Sequence, residues 1–274
     1  MTISVPDTLT TDSSGKYMMS IRLWSGGFLF SAYNPSEDQS FFFREVNFDP
    51  AVPYLTSLKE LFFTNECLTW TYRRSCVLCV SQQYTLAPCE WIRENQRALF
   101  LSFNFSSPEK RCLNNRVEDE PTELIFGLSE EVYEFCARSL INPVFMHHVT
   151  SQLVMLKKQS RKGPSNQMFV VLHHKMADIS CFSSAGLLFV NSFDIEHLSD
   201  LLYYILYVWK QMGWDQLNDA VFLAGEPGLC NRLNHALQTY IRHIGRMEIP
   251  AKAYLLGGDI LQAPMDLILL SVCE

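Results

Sequence analysis

Residues 168–193 read MFVVLHHKMADISCFSSAGLLFVNSF, and three extended runs are legible in them. These are Met168–His173, Ala177–Phe182 and Leu187–Phe193, with a turn at Ser183-Ser184-Ala185-Gly186. β-Branched and aromatic residues favour a pleated, half-buried strand, and glycine marks the reversal. The chain then changes period. Leu198, Leu201, Leu202, Ile205, Trp209 and Met212 fall on one face of a helix expected over Ile195–Met212, with Asp194 as its cap. A short buried strand, Asp219–Ala224, and an amphipathic helix, Gly228–Ile244, follow. The order is strand, strand, strand, helix, strand, helix.

The first half has the same order. Tyr17–Trp24 and Phe28–Tyr33 flank the hairpin signal Ser25-Gly26-Gly27, and Phe41–Phe48 is a third extended run. Pro53 opens a helix striped by Tyr54, Leu55, Leu58, Leu61 and Phe62. A strand over Thr69–Val80 comes next, then a helical stretch near Pro88 carrying Trp91, Ile92 and Leu99. Strands near Arg111–Glu118 and Thr122–Phe126 close this half. Ser129 is placed to cap a helix that ends near Leu140, and a further helix is expected over His147–Lys158. One six-element order recurring after about 150 residues predicts an α/β protein of two similar lobes. The boundaries are a loose leader over 1–16, a first lobe over 17–128 and a second over 129–274.

Composition narrows the class. Of 274 residues 48% are hydrophobic and 19% charged, which supplies a core and excludes a disordered chain. The longest strongly apolar stretch, Leu201–Trp209, is too short to span a bilayer, and the polar N-terminus is not a signal peptide. A net charge of −7 argues against a nucleic-acid partner. Nine cysteines, an odd number without an export signal, read as reduced thiols in a cytoplasmic protein. Cys76 and Cys79 have redox or zinc spacing, but residues three apart on a strand point to opposite faces.

The doubled arrangement resembles the actin-like ATPase superfamily, whose halves are each ribonuclease-H-like, with a mixed sheet and flanking helices. Within it the chain is most similar to the pilus-assembly protein PilM, its secretion-system relatives and an uncharacterised bacterial family. Three stretches carry the likeness. The hairpin Met18–Tyr33 sits where the superfamily has its first phosphate loop, and Phe169–Phe182 with Gly186–Phe193 sits at its second. Ala220–Leu229 sits where a glycine-rich adenosine motif ends a strand and opens a helix. The resemblance implies protein partners for the pilus branch and a magnesium-nucleotide for the working ATPases. If a nucleotide were bound, Gly26, Gly27, Asp178, Gly225 and Gly228 would be the residues to hold it.

That chemistry needs a carboxylate at the end of the first strand of each half, with glycine amides open to phosphate. The first half offers Arg22 and Trp24 instead, and the second offers His173-His174-Lys175. Glu226 and Pro227 interrupt the adenosine glycines. ATP hydrolysis is therefore not expected, and neither a catalytic residue nor a cofactor is assigned. No metal site is assigned either, because adjacent histidines on a strand (His173-His174) face opposite sides, His147-His148 offers at most one ligand to a given site, and no acidic third ligand is indicated. Nucleotide-loop, hydrolase-elbow and zincin motifs are absent, and Glu118-Asp119-Glu120 reads as a solvated turn. Tyr203, Tyr204 and Tyr207, opposite the leucine face of their helix, are the candidate partner face. The expectation is a catalytically degenerate scaffold or adaptor, a pseudoenzyme whose partners are other proteins. The alternative is a protein that still binds nucleotide.

Overall fold

A computed structural model of the chain describes residues 2–93, 96–117, 120–163, 166–173 and 175–273. It divides into two compact units, Met1–Thr150 with Pro250–Ala263, and Ser151–Ile249 with Pro264–Glu274. The residues 129–150, which the sequence reading assigns to the second lobe, thus cluster with the first unit.

The first unit starts with the expected hairpin. Strands β1 (Met18–Trp24) and β2 (Gly27–Tyr33) pair antiparallel, and β3 (Phe42–Asn47) extends them. Helix α1 (Tyr54–Thr64) follows Pro53, and β4 (Arg74–Cys79) returns parallel to β1. Next, β5 (Tyr84–Pro88), α2 (Arg97–Asn104), β6 (Arg111–Arg116) and β7 (Thr122–Leu128) build a separate sheet in the order β5-β7-β6. Helix α3 (Glu130–Ser139) then leads to β8 (Val144–His147), which pairs parallel with β4. The main sheet therefore runs β3-β2-β1-β4-β8.

Burial decides which faces are covered. Leu58, Leu61 and Phe62 of α1 are buried, and the Phe62 ring meets Phe28 edge-on at 6.2 Å and Phe135 of α3 at 5.1 Å. Such pairs add roughly 0.5–1.5 kcal/mol each beyond area burial. The small sheet is locked differently. The Arg97 guanidinium donates from Nε and Nη2 to the buried Glu123 carboxylate at 2.9 and 3.3 Å, tying α2 to β7.

Helix α4 (His148–Ser160) carries the chain onward to the second unit. There β9 (Gln167–Leu172), β10 (Met176–Ser183), β11 (Gly186–Asp194), α5 (Leu198–Gln211), β12 (Ala220–Ala224), α6 (Pro227–Leu237) and β13 (His243–Arg246) give the sheet β11-β10-β9-β12-β13. Strand for strand this is the first unit's order, with β12 and β13 parallel additions. The fold class is mixed α/β with one five-strand order used twice. Leu201, Ile205 and Trp209 of α5 and Cys230, Leu233 and Leu237 of α6 pack on Val170, Ile179 and Val221 to form its core. Two short elements follow, α7 (Ala251–Leu255) and α8 (Met265–Cys273).

Several expectations need correction. The leader is not loose, because Ile3 and Leu9 are buried, and the Ser14 hydroxyl donates to the Thr71 carbonyl at 2.9 Å. Pro88 closes β5, paired with Thr122, and also caps a 3-10 turn, Cys89–Trp91, that precedes α2. The strand expected over Thr69–Val80 shortens to β4, and its first residue, Thr69, ends a 3-10 turn, Glu66–Thr69. Asp194 ends β11, and α5 starts later, with the Asp200 carboxylate accepting from the amides of Glu196 and His197 at 3.1 and 2.8 Å. The Gly228–Ile244 helix stops at Leu237, and Ile244 pairs with Val221 in β13. Glu118, Asp119, Pro164 and His174 lie outside the described residues, as does the Cys273 side chain.

Leu9, 2% exposed, gives a direct check on the leader. Leu9→Ala should cost about 2–5 kcal/mol in urea unfolding, the range for a leucine truncated in a packed core. A loose leader would leave the midpoint unchanged.

Candidate functional site

Helix N-termini and strand ends are where this architecture would receive an anion, since free amides point outward there. In the first unit that place is the turn between β1 and β2. The Trp24 ring packs against it: a Cβ on Gly27 would stand 2.5 Å from the indole and 2.5 Å from the Val46 carbonyl oxygen. Gly27 is glycine because a ring and a neighbouring strand both press on its Cα. A Cβ on Gly26 would come within 3.4 Å of the indole nitrogen. The buried Arg22, one pleat earlier, holds its guanidinium 5.3 Å from the centroid of the same ring, a cation–π contact.

In the second unit the three marked residues sit at separate points. Asp178 is on β10 and 1% exposed. Its Oδ1 accepts from the Ser192 hydroxyl at 2.6 Å, and its Oδ2 accepts from the Gln152 amide at 2.9 Å. The His173 Nε2 lies 2.7 Å from the same Oδ2. Gly225 ends β12 with φ +124°, and a Cβ there would meet Leu172 of β9 at 2.7 Å. Helix α6 begins immediately after it. Both oxygens of Glu226 cap that helix, accepting from the amides of Gly228 at 2.7 Å and Leu229 at 2.6 Å. The amides that the adenosine reading would offer to a ligand are bonded to the chain's own carboxylate.

The remaining site of note is a cavity of about 550 Å³ inside the first unit. It opens beyond the carboxyl ends of the parallel strands β1 and β4, the usual ligand position in an α/β sheet. Leu23, Trp24, Tyr54, Val80, Leu128 and Val132 make its walls, drawn from the ends of β1, β4 and β7 and the first turns of α1 and α3. The charged residues on it are Glu109 and Glu131. These carboxylates oppose an anion, whereas the first turns of α1 and α3 beside them present helix N-termini.

Comparison with known proteins is consistent with this architecture. A family model described as "Protein of unknown function (DUF3822)" matches residues 6–244. The chain belongs to the DUF3822 family. A Bacteroides thetaiotaomicron protein, described as having an actin-like ATPase fold and unknown function, is 29% identical to the DUF3822 chain. It matches with a TM-score of 0.83 over 97% of this chain and 99% of its own. The PilM–PilN type IV pilus biogenesis complex matches at 0.54 with 9% identity, over 92% and 93% of the two chains. No curated protein sequence matches. The fold is thus that of the actin-like ATPases, and no helix among the described residues is long and apolar enough to cross a membrane.

The other residues singled out in the DUF3822 sequence resolve as follows. Tyr203 and Tyr207 are 61% and 51% exposed and stack at 5.8 Å, whereas Tyr204 turns inward onto Phe193 at 4.4 Å. His147 and His148 are fully buried, the first facing Tyr84 and Phe126 and within 3.1 Å of the Ser81 carbonyl. Cys76 and Cys79 are both buried thiols, not joined in a disulfide. Burial first, then the Cys136 and Cys76 thiols, hold Cys79 well above the usual thiol range. Burial likewise pushes Cys136 and Cys181 up to about 12. The cavity itself escapes sequence reading, because its walls come from segments without a shared motif.

Two outcomes follow. Cys79, Cys136 and Cys181 should resist alkylation in the native protein while the half-buried Cys89 reacts, with mass spectrometry of the labelled peptides as the readout. For Glu226, hydrogen bonds from the Leu229 and Gly228 amides lower the folded pKa below 4.5. Its stabilising contribution is therefore complete above that value and is lost as pH falls through the lower, folded one. Glu226→Gln should melt below wild type at neutral pH, and the two melting curves should converge in acid.

Proposed function

We propose that this protein is a non-hydrolysing member of the actin-like fold that acts as a scaffold or adaptor for other proteins. The observation that carries the reading is the double cap of Glu226 on Gly228 and Leu229. A carboxylate in that position fills the anion site with a fixed negative charge, so a phosphate would have to displace it and meet its repulsion.

A magnesium-nucleotide does not fit the other residues either. Arg22 and His173 stand where the chemistry calls for carboxylates, and the one retained acid, Asp178, is engaged by Ser192, Gln152 and His173. The indole of Trp24 packs against Gly27 of the first glycine turn. The cavity of the first unit supports protein binding. Its apolar walls fit an anchoring side chain, and Glu109 and Glu131 fit a basic neighbour on the partner. PilM, of the same overall fold, is known in a complex with PilN. Free thiols throughout the described cysteines support a cytoplasmic setting.

Thermal-shift titration with ATP, ADP and GTP, with and without magnesium, tests the reading. A ligand at 100 times its dissociation constant stabilises by about 2.7 kcal/mol. No shift at millimolar nucleotide is the expected result. A magnesium-dependent shift would overturn the proposal and favour a nucleotide-binding protein.

A further inference from the structure

Strand pairing in the second unit brings a histidine and an acid together that their spacing in the chain does not announce. β9 and β10 run antiparallel with Val171 opposite Asp178. His173, two residues beyond Val171, is therefore the diagonal neighbour of Asp178 on the same face. Ser192 of β11 stands directly opposite Asp178, and α4 contributes the fully buried Gln152.

The contacts converge on one atom. Asp178 Oδ2 lies 2.7 Å from His173 Nε2 and accepts from Gln152 Nε2 at 2.9 Å, while the Ser192 hydroxyl holds Oδ1 at 2.6 Å. One group is left over. Gln152 Oε1 is buried and has no hydrogen-bond partner among the described residues. Asp178 claims the donor end of this amide, which strands its acceptor end in the interior, where an unmade bond is costly. A carboxamide is nearly symmetric in shape, and a half-turn of its last torsion exchanges oxygen for nitrogen.

We propose that His173, Asp178 and Gln152 are the ligands of a divalent cation of the zinc class. The cation replaces the proton between His173 Nε2 and Asp178 Oδ2, and the Gln152 amide turns so that Oε1 faces the metal. Imidazole lone pair, carboxylate and amide oxygen then bind one ion, and the displaced proton passes to solvent. Zinc holds such ligands at roughly 2.0–2.2 Å, which sets them about 3.3 Å from one another. The observed 2.7 and 2.9 Å separations therefore need to widen by only about half an ångström. An imidazole among oxygen ligands suits zinc and its transition-row neighbours, whereas magnesium and calcium favour oxygen throughout. Ser192 is the outer partner that orients the carboxylate. His173, at the end of β9, is the least buried of the three and marks the way in.

Titration of chelator-stripped, reduced protein with zinc, and separately with cobalt, tests this. The expected result is one equivalent bound per chain and a rise in melting temperature that magnesium does not reproduce. Cobalt should give visible bands without the near-ultraviolet charge-transfer band of a thiolate ligand. His173→Gln keeps a donor for Asp178 and should weaken zinc by more than the roughly 10–100-fold that an outer partner is worth. Gln152→Glu sets two buried carboxylates side by side, so without metal it should melt below wild type, and zinc should raise its melting temperature further than wild type's. Wild-type protein that binds no stoichiometric zinc would overturn the proposal. So would a thiolate-type cobalt spectrum, zinc affinity that His173→Gln leaves unchanged, or a folded Gln152→Glu variant that zinc does not stabilise.

Discussion

An amide at the first turn of a helix has no partner within the helix and takes the nearest negative charge. At α6 that charge is Glu226, two and three residues before the amides it accepts from, and the bond is made as soon as the helix forms. Much else in the second unit is consistent with this local closure. Gly225 turns the chain at positive φ just before Glu226, and it is glycine because Leu172 lies where a side chain would go. Arg246 on β13 then donates to the Pro227 carbonyl and to Asn231, bracing the same turn from the neighbouring strand. A turn that could have been an open cradle is instead a finished piece of structure.

The same economy recurs at the other polar points. Asp178 is buried, and a buried carboxylate is tolerable only when its oxygens are satisfied. Ser192 comes from the neighbouring strand, Gln152 from α4 and His173 from the end of β9, so one side chain ties three elements. Trp24 does comparable work by shape, packing its ring against the buried Gly27 while Gly26 at the tip stays exposed. Polar and glycine positions of this fold have thus become supports, and the open concave surface lies elsewhere, at the strand ends of the first unit.

Periodicity made most of the architecture legible before any coordinates. The hairpin around Gly26-Gly27, the triple strand from Met168 to Phe193 and the leucine face of α5 each combine a clear period with a turn signal. What stayed hidden had physical reasons. β8 and β13 are four residues each, too short for alternation to show, and they take strand form because β4 and β12 offer them an edge. β5 ends in proline, which the sequence shows only as the start of a helical turn and not as a strand residue paired with β7. Of the candidate site, the missing acids at Arg22 and His173 were readable as identities. The capping role of Glu226 depends on a turn geometry that no spacing encodes, and the cavity depends on five separate stretches meeting.

The division of the chain has a bearing on its synthesis. The first unit is discontinuous: residues up to Thr150 are joined by Pro250–Ala263, which arrive only after nearly the whole second unit has been made. Those late residues supply the carbonyls that receive the amides of Gln39 and Phe41. During elongation the side of the sheet next to β3 therefore stands uncovered while about 100 further residues are added, at roughly 5–20 per second. For those seconds the nascent chain displays an unsealed sheet margin, and its final closure is a late act of translation rather than an early act of collapse.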